Sequence, residues 1–301
     1  VRGASSTGLL EVPEASVSIS PGPIRRWVLA ARIRTLPAAV VPVVLGAAAA
    51  RPINVPMTIT AALVSLSLQI ATNYANDYSD GVKGSDETRV GPFRLTASGL
   101  VSASSVKYMA VAWFGVAALL GSIIALSTSW WLLVIGASAI AAGWLYTGGP
   151  HPYGYLGLGE LFVMIYFGFV ATVGTAYIQH ENIPSRAWWL GLAAGSMACT
   201  LLEANNLRDA DQDRMVGKRT LAARLGRERG SWLYVACVVG VGLGAGFAVA
   251  RGTILAALYL IPLRSYVFTP RRGRDLLGLL QQSALLQLAI GALLSVLVFL
   301  T

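Results

Sequence analysis

Residues 56–80 read PMTITAALVSLSLQIATNYANDYSD. The stretch begins as an apolar run of the kind that crosses a bilayer, which takes about 20 residues of helix. It then turns polar without any helix-breaking residue. Gln69, Asn73, Asn76 and Asp80 are spaced four, three and four, so they share one helical face. A carboxylate and three carboxamides descending an apolar helix are costly unless something uses them. Residues 187–208 and beyond repeat the form: an apolar run passes into Asn205, Asp209 and Asp213, spaced four and four.

The rest of the chain agrees with a membrane setting. Of 301 residues, 55% are hydrophobic and 12% charged, with a mean hydropathy of +0.63. A soluble domain carries about twice that charge fraction. Nine apolar segments can be marked, at about 27–50, 56–80, 106–126, 129–147, 157–180, 187–208, 231–250, 252–268 and 276–300. The expectation is an all-α integral membrane protein in which one helical bundle occupies residues 23–301. Residues 1–22, rich in Ser, Pro, Gly and Ala, lack the basic start, apolar core and cleavage site of a signal peptide and read as a disordered cytosolic tail. Cys199 and Cys237 lie inside apolar runs and read as small packing residues.

The net charge of +9 is not the footprint of nucleic-acid binding, because the basic residues line one side of the membrane. With the N-terminus in the cytosol, 20 Lys and Arg fall inside and only Arg51, Arg186 and Arg251 outside. Nine crossings would then leave the C-terminus outside. Seven of the 14 acidic residues (Asp77, Asp80, Asp86, Glu87, Asp209, Asp211 and Asp213) gather in two stretches on the cytosolic side. The stretches resemble each other: Asn76 and Asp80 are followed by Asp86, Arg89, Gly91, Arg94 and Thr96, and Asn205 and Asp209 by Asp213, Arg214, Gly217, Arg219 and Thr220, about 130 residues apart.

Each stretch read alone could be a charged helix cap in a loop. Two matched Asn/Asp faces at one depth point instead to a hard cation, since facing carboxylates repel without one. Oxygen donors with no matching His or Cys set favour Mg²⁺, which keeps positions open for phosphate oxygens. Lys83, Arg89, Arg208, Arg214 and Lys218 beside the acids make sense if the ligand is a diphosphate. A clamped diphosphate beside an apolar bundle implies ionisation of an allylic ester, with Tyr74, Tyr78, Tyr146, Tyr166 and Tyr177 available to shield the cation. Asp77 and Asp211 face elsewhere on their helices.

The motifs Asn76-Asp77-Tyr-Ser-Asp80 and Asp209-Ala-Asp-Gln-Asp213 resemble those of the UbiA superfamily of membrane prenyltransferases. The runs 32–46, 73–92, 146–160 and 205–226 are similar to the branch that prenylates 1,4-dihydroxy-2-naphthoate in menaquinone biosynthesis. The resemblance implies nine transmembrane helices around a central cavity in a bacterial cell membrane, with the active site open to the cytosol. It implies Mg²⁺, a polyprenyl diphosphate and the naphthoate as partners, and loss of the acceptor's carboxylate to give demethylmenaquinone. Carried over, Asn76, Asp80, Asp209 and Asp213 match metal-binding positions, with Asp86 as a further acid, and Lys83, Arg208 and Lys218 match diphosphate contacts. Asp80, Asp209, Asp213 and Lys83 are the expected catalytic group; Asn73, Asn205, Tyr146 and His151 are candidates for acceptor binding or cation shielding. Two departures stand out: Gly84 replaces an acid common in relatives, and Tyr146 is followed by Pro150 and His151 where relatives often carry Tyr-x-x-x-Lys. The Gly-rich run 146–160 lacks the context of a nucleotide loop and reads as a tight loop over the cavity.

Two alternatives stay open on the residues. One is a related transferase with hydroxybenzoate, a haem precursor or a sugar phosphate as acceptor. The other is a cation-coupled transporter, against which stand the odd number of crossings and acids at one end rather than the midplane.

Overall fold

The computed structural model describes residues 22–85 and 93–301. The expected tail up to residue 21 lies outside the described residues, as do Asp86, Glu87 and Arg89. Among the described residues the regular structure is entirely helical. In chain order the helices are α1 (Pro23–Ala30), α2 (Pro37–Ala49), α3 (Val55–Val82), α4 (Ala103–Ser127), α5 (Leu132–Leu145), α6 (Gly159–His180), α7 (Ser185–Met215), α8 (Leu221–Ala248), α9 (Gly252–Val267) and α10 (Gly273–Leu300).

Helices α3, α4, α6, α8 and α10 are each long and apolar enough to cross a membrane. The pair α1 and α2, bent by 50°, makes a sixth if counted as one span. α5 and α9 are apolar but shorter. The 31 residues of α7 extend about 46 Å, well beyond a hydrocarbon core of about 30 Å. Its charged turns therefore lie past the length needed to cross. Large apolar side chains such as Leu119, Leu126, Phe247, Ile254 and Leu285 face outward, as lipid contact requires.

The segment expected as one helix over 27–50 is broken. Pro37 opens α2 without an N–H to donate, and Arg32 takes a left-handed backbone conformation with φ 54°. The amide of Asn73 donates to the freed carbonyl of Ala31 at 2.9 Å, and the Arg32 carbonyl accepts both the amide and the hydroxyl of Thr35, at 2.8 and 2.9 Å. The eighth segment also departs from a plain α-helix. α9 starts as a 3₁₀ turn and ends in a π turn around Pro262, whose missing N–H leaves the regular ladder unable to continue.

α7 is the central helix. It meets α6 backbone to backbone: a Cβ on Gly168 would lie 2.8 Å from the Gly191 carbonyl oxygen and 2.9 Å from Gly195 Cα. Small residues are how membrane helices pack this closely. Leu45, Leu190, Met197, Leu207, Ile290 and Leu294 fill the surrounding core. A second core joins α3 and α4 around Tyr74, Val106, Phe114 and Leu95. Of the three arginines assigned to the outer side, two satisfy carbonyls at helix ends. Arg186 donates to the Ala49 carbonyl at 3.0 Å and Arg51 to that of Val298 at 2.6 Å.

Candidate active site

A cavity of about 370 Å³ runs through the bundle. Its wall on α3 changes character along the helix: Ala61, Val64 and Leu68 come first, then Gln69, Asn73, Asn76 and Asp80. From Ala61 to Asp80 is about 28 Å of helix. Asn205, Asn206, Asp209 and Asp213 line the cavity from α7, so the two acidic motifs meet in one space. Elsewhere the wall is aliphatic and aromatic, with Ile135, Ile178, Tyr146, Phe162, Tyr166 and Phe167 among its residues.

Asp80 is 2% exposed and is held by three groups. The Tyr155 hydroxyl donates to Oδ1 at 2.7 Å, Lys218 Nζ lies 3.1 Å from the same oxygen, and Arg94 approaches Oδ2 at 3.5 Å. The Tyr155 ring lies beneath both Lys218 and Lys83, at 4.6 and 5.0 Å from the ring centre. Lys83 donates to the carbonyls of Thr147 and Gly149 at 2.7 and 3.3 Å. Partial desolvation lowers its ammonium pKa, Asp80 opposes this, and the like charge of Lys218 adds to it. Asp209 is gripped by its neighbour Arg208, whose Nε and Nη2 donate to the two carboxylate oxygens at 2.6 and 2.7 Å. Arg208 is not part of the cavity wall. Asn76 accepts from the Thr147 hydroxyl at 2.8 Å.

The loop between α5 and α6 lies along the polar end of this space. Tyr146, Thr147, Tyr153, Gly154 and Tyr155 line the cavity. Gly149 and Gly157 turn the chain with φ of 77° and 75°, a region where other residues are strained. The loop is tied to the segment after α7 by a bond from the Arg219 amide to the Tyr155 carbonyl at 2.8 Å.

Some expected residues lie apart from the cavity. His151 is exposed. Arg214 is exposed, donates to the Ala223 carbonyl and sits 3.7 Å from Asp211. Of the five tyrosines considered for shielding, Tyr146 and Tyr166 line the cavity; Tyr74 bonds the Trp27 carbonyl and Tyr177 pairs with Ser129. Asn73 lines the cavity but also holds the α1–α2 break.

Four residues escaped sequence reasoning. Arg94 had a signal, since it recurs as the second arginine of both repeats. Tyr155 was one tyrosine among three in a Gly-rich loop, with nothing local to single it out. Arg32 lines the cavity from the helix break, which was itself unforeseen. Asp77 is 1% exposed and accepts the backbone amides of Leu95 and Thr96 at 2.8 and 2.9 Å. It anchors the strand of loop that carries Arg94.

Among the described residues no three His, Cys, Asp or Glu side chains stand close enough to hold a metal ion in the arrangement seen. The charge of Asp80 is met by Lys218 and Arg94, and that of Asp209 by Arg208. The donors that line the cavity are nevertheless all hard oxygens, the chemistry Mg²⁺ takes.

A polar, charged mouth on an apolar cavity, inside a bundle of lipid-facing helices, defines a multi-pass membrane enzyme for amphiphilic substrates. Residues 39–276 match the UbiA prenyltransferase family, and the chain belongs to it. A Mycobacterium tuberculosis protein named 1,4-dihydroxy-2-naphthoate octaprenyltransferase is 42% identical over 276 residues, covering 87% of this chain and 93% of that one. The fold matches the apo UbiA homologue from Aeropyrum pernix with a TM-score of 0.65 at 16% identity, over 89% of this chain and 96% of that one. It matches the Archaeoglobus fulgidus homologue bound to DMAPP and Mg²⁺ with a TM-score of 0.62 at 13% identity, over 92% and 99%.

Proposed function

We propose that this enzyme transfers a polyprenyl chain from its diphosphate to 1,4-dihydroxy-2-naphthoate, with loss of CO₂, to give demethylmenaquinone in its quinol form. The observation that carries the reading is that both acidic motifs, with Lys218 and Arg94 among them, line the polar end of one cavity whose remainder is apolar. The naming of relatives such as the mycobacterial protein supports the choice of acceptor. We further propose nine crossings, with α1–α2 as one, α5 and α9 as short ones and α7 as the sixth, and a cytosolic N-terminus on the distribution of Lys and Arg. Residues 23–301 form the catalytic bundle.

Asn76, Asp80, Asp209 and Asp213 would hold Mg²⁺, with Asp86 as a further donor. When bound there, Mg²⁺ supplies neutralisation of the charge on the departing diphosphate. Lys218, Lys83 and Arg94 are the cations for the diphosphate oxygens. Arg208 sets the orientation of Asp209 through its two-pronged bond rather than meeting the ligand itself. The allylic C–O bond breaks with its electron pair leaving on the diphosphate, and the new C–C bond forms to the electron-rich ring. The carboxylate departs as CO₂, and diphosphate takes up a proton from solvent. Tyr146, Tyr166 and Phe162 give the cation π faces in place of water.

The test is an assay in detergent with Mg²⁺, a polyprenyl diphosphate and either the naphthoate or 4-hydroxybenzoate. The expected result is a prenylated, decarboxylated naphthoquinol and no hydroxybenzoate product; the reverse preference would overturn the assignment.

A further inference from the structure

One cavity residue is backed by two acids that the chemistry above leaves unused. Asn206 lines the cavity from α7, and its Nδ2 donates to Glu160 Oε1 on α6 at 3.0 Å. Glu203 lies on the face of α7 turned toward Glu160, four residues after Cys199, whose Sγ meets the Glu160 carbonyl oxygen at 3.5 Å, and three before Asn206. Glu203 is 0% exposed, and among the described residues neither of its oxygens meets an N–H or O–H donor. The titratable groups facing the two carboxyls are Tyr146, from the end of α5, and Cys199 and Cys237 from α7 and α8. None of them is a cation. Two carboxylates facing each other without a cation repel, and a proton on Glu203 removes the repulsion and lets its carboxyl donate toward Glu160. The close α6–α7 crossing at Gly168 and Gly195 holds the two acid-bearing helices together.

The pair has a consequence for the amide in front of it. An Asn side chain presents a donor on one side and an acceptor on the other, and the network decides which way it points. With Nδ2 committed to Glu160, Oδ1 of Asn206 is the atom left for the cavity. The other polar groups at this end include Lys218 and Arg94, which are donors, and Asp80 and Asp209, which are already engaged. We propose that Asn206 Oδ1 accepts a hydrogen bond from a ring hydroxyl of the aromatic acceptor, and that the singly protonated Glu160–Glu203 pair is the device that fixes its orientation. This rests on the reading of the acceptor as a hydroxylated aromatic acid. Accepting from the hydroxyl polarises its O–H bond and enriches the ring in electrons, which is what attack on an allylic cation needs. Asn206 is a binding residue in this scheme; Glu160 and Glu203 are positioning residues.

The experiment measures KM for each substrate separately in the full chain, with the naphthoate and with two analogues that each lack one ring hydroxyl. The wild type should disfavour one analogue by about tenfold in KM, the scale of one buried hydrogen bond. Asn206→Leu and Glu160→Leu should raise the KM of the naphthoate by about tenfold, erase the discrimination and leave the KM of the prenyl diphosphate within twofold. Glu203→Leu should behave like Glu160→Leu, and Glu203→Gln, which can donate to Glu160 in place of the protonated carboxyl, should recover most of the loss. Asn206→Ser is the second variant should Asn206→Leu fail to fold, with the same loss expected. The proposal is overturned if the wild type treats both analogues like the naphthoate, if the variants keep the discrimination, or if both KM values move together. A wild type that prenylates no naphthoate sinks the functional reading instead.

Discussion

Lys218, in the segment after α7, places its Nζ 3.1 Å from Oδ1 of Asp80 at the end of α3. The basic residue of the second motif thus neutralises the acid of the first. Both are buried, with side-chain exposures of 9% and 3%, so the contact is little screened by solvent. A hydrogen bond to a charged group contributes about 1.5–3 kcal/mol, and about 1.4 kcal/mol is tenfold in affinity. Lys218→Met should raise KM for the prenyl diphosphate by about 10- to 100-fold while the acceptor's KM stays nearly constant. Steady-state kinetics with each substrate varied in turn would check this, and an unchanged diphosphate KM would remove Lys218 from the site.

Tyr155 donates to the same oxygen at 2.7 Å and carries both Lys218 and Lys83 over its ring. Tyr155→Phe keeps the ring and deletes the donor. The expected outcome is a fall of about tenfold in kcat/KM with little change in thermal stability. Tyr155→Leu also removes the π face and should cost more. If both variants were as active as the wild type, neither the hydroxyl nor the ring would matter to the reaction.

Asp77 lies off the cavity yet should be needed for activity. Asp77→Ala leaves the amides of Leu95 and Thr96 without acceptors, at about 1–3 kcal/mol for each one buried. The loop carrying Arg94 would loosen, so both the melting temperature in detergent and turnover should drop. Asp77→Asn keeps one acceptor oxygen and should fall between. Full activity in Asp77→Ala would show that the loop's anchorage is dispensable.

Removing divalent ions with EDTA should abolish turnover, and millimolar Mg²⁺ should restore it. Ca²⁺ should restore it poorly, because its longer bonds and larger ligand number do not suit a site made for octahedral Mg²⁺. Persistent activity in EDTA would leave charge neutralisation to Lys218, Lys83 and Arg94 alone.

Gly168 faces the backbone of Gly191 and Gly195 on α7, and a Cβ there would sit at 2.8–2.9 Å from atoms that cannot rotate away. Gly168→Ala should destabilise the bundle by about 1–3 kcal/mol, read as a lower melting temperature in detergent. By prying α6 from α7 it should also disturb the Glu160–Asn206 bond about two turns further along the same two helices. An unaltered melting temperature would mean that α6 and α7 can separate freely.

Helical periodicity and charge placement were enough to read a membrane bundle and to put Asn76 and Asp80 on one face and Asn205, Asp209 and Asp213 on another. These are local matters: 3.6 residues per turn decides which side chains share a face, and the cost of charge in lipid decides where acids can stand. Local rules do not say which cation meets which carboxylate. Arg208 turned to the Asp209 beside it in the chain, while Lys218 crossed to Asp80 on a different helix. The partners Tyr155 and Arg94, the anchoring use of Asp77 and the break at Arg32 all depend on how α3, the α5–α6 loop and α7 come together. Pairings between residues on different helices and loops are created by packing, since a buried charge takes whatever partner the assembled helices bring to it.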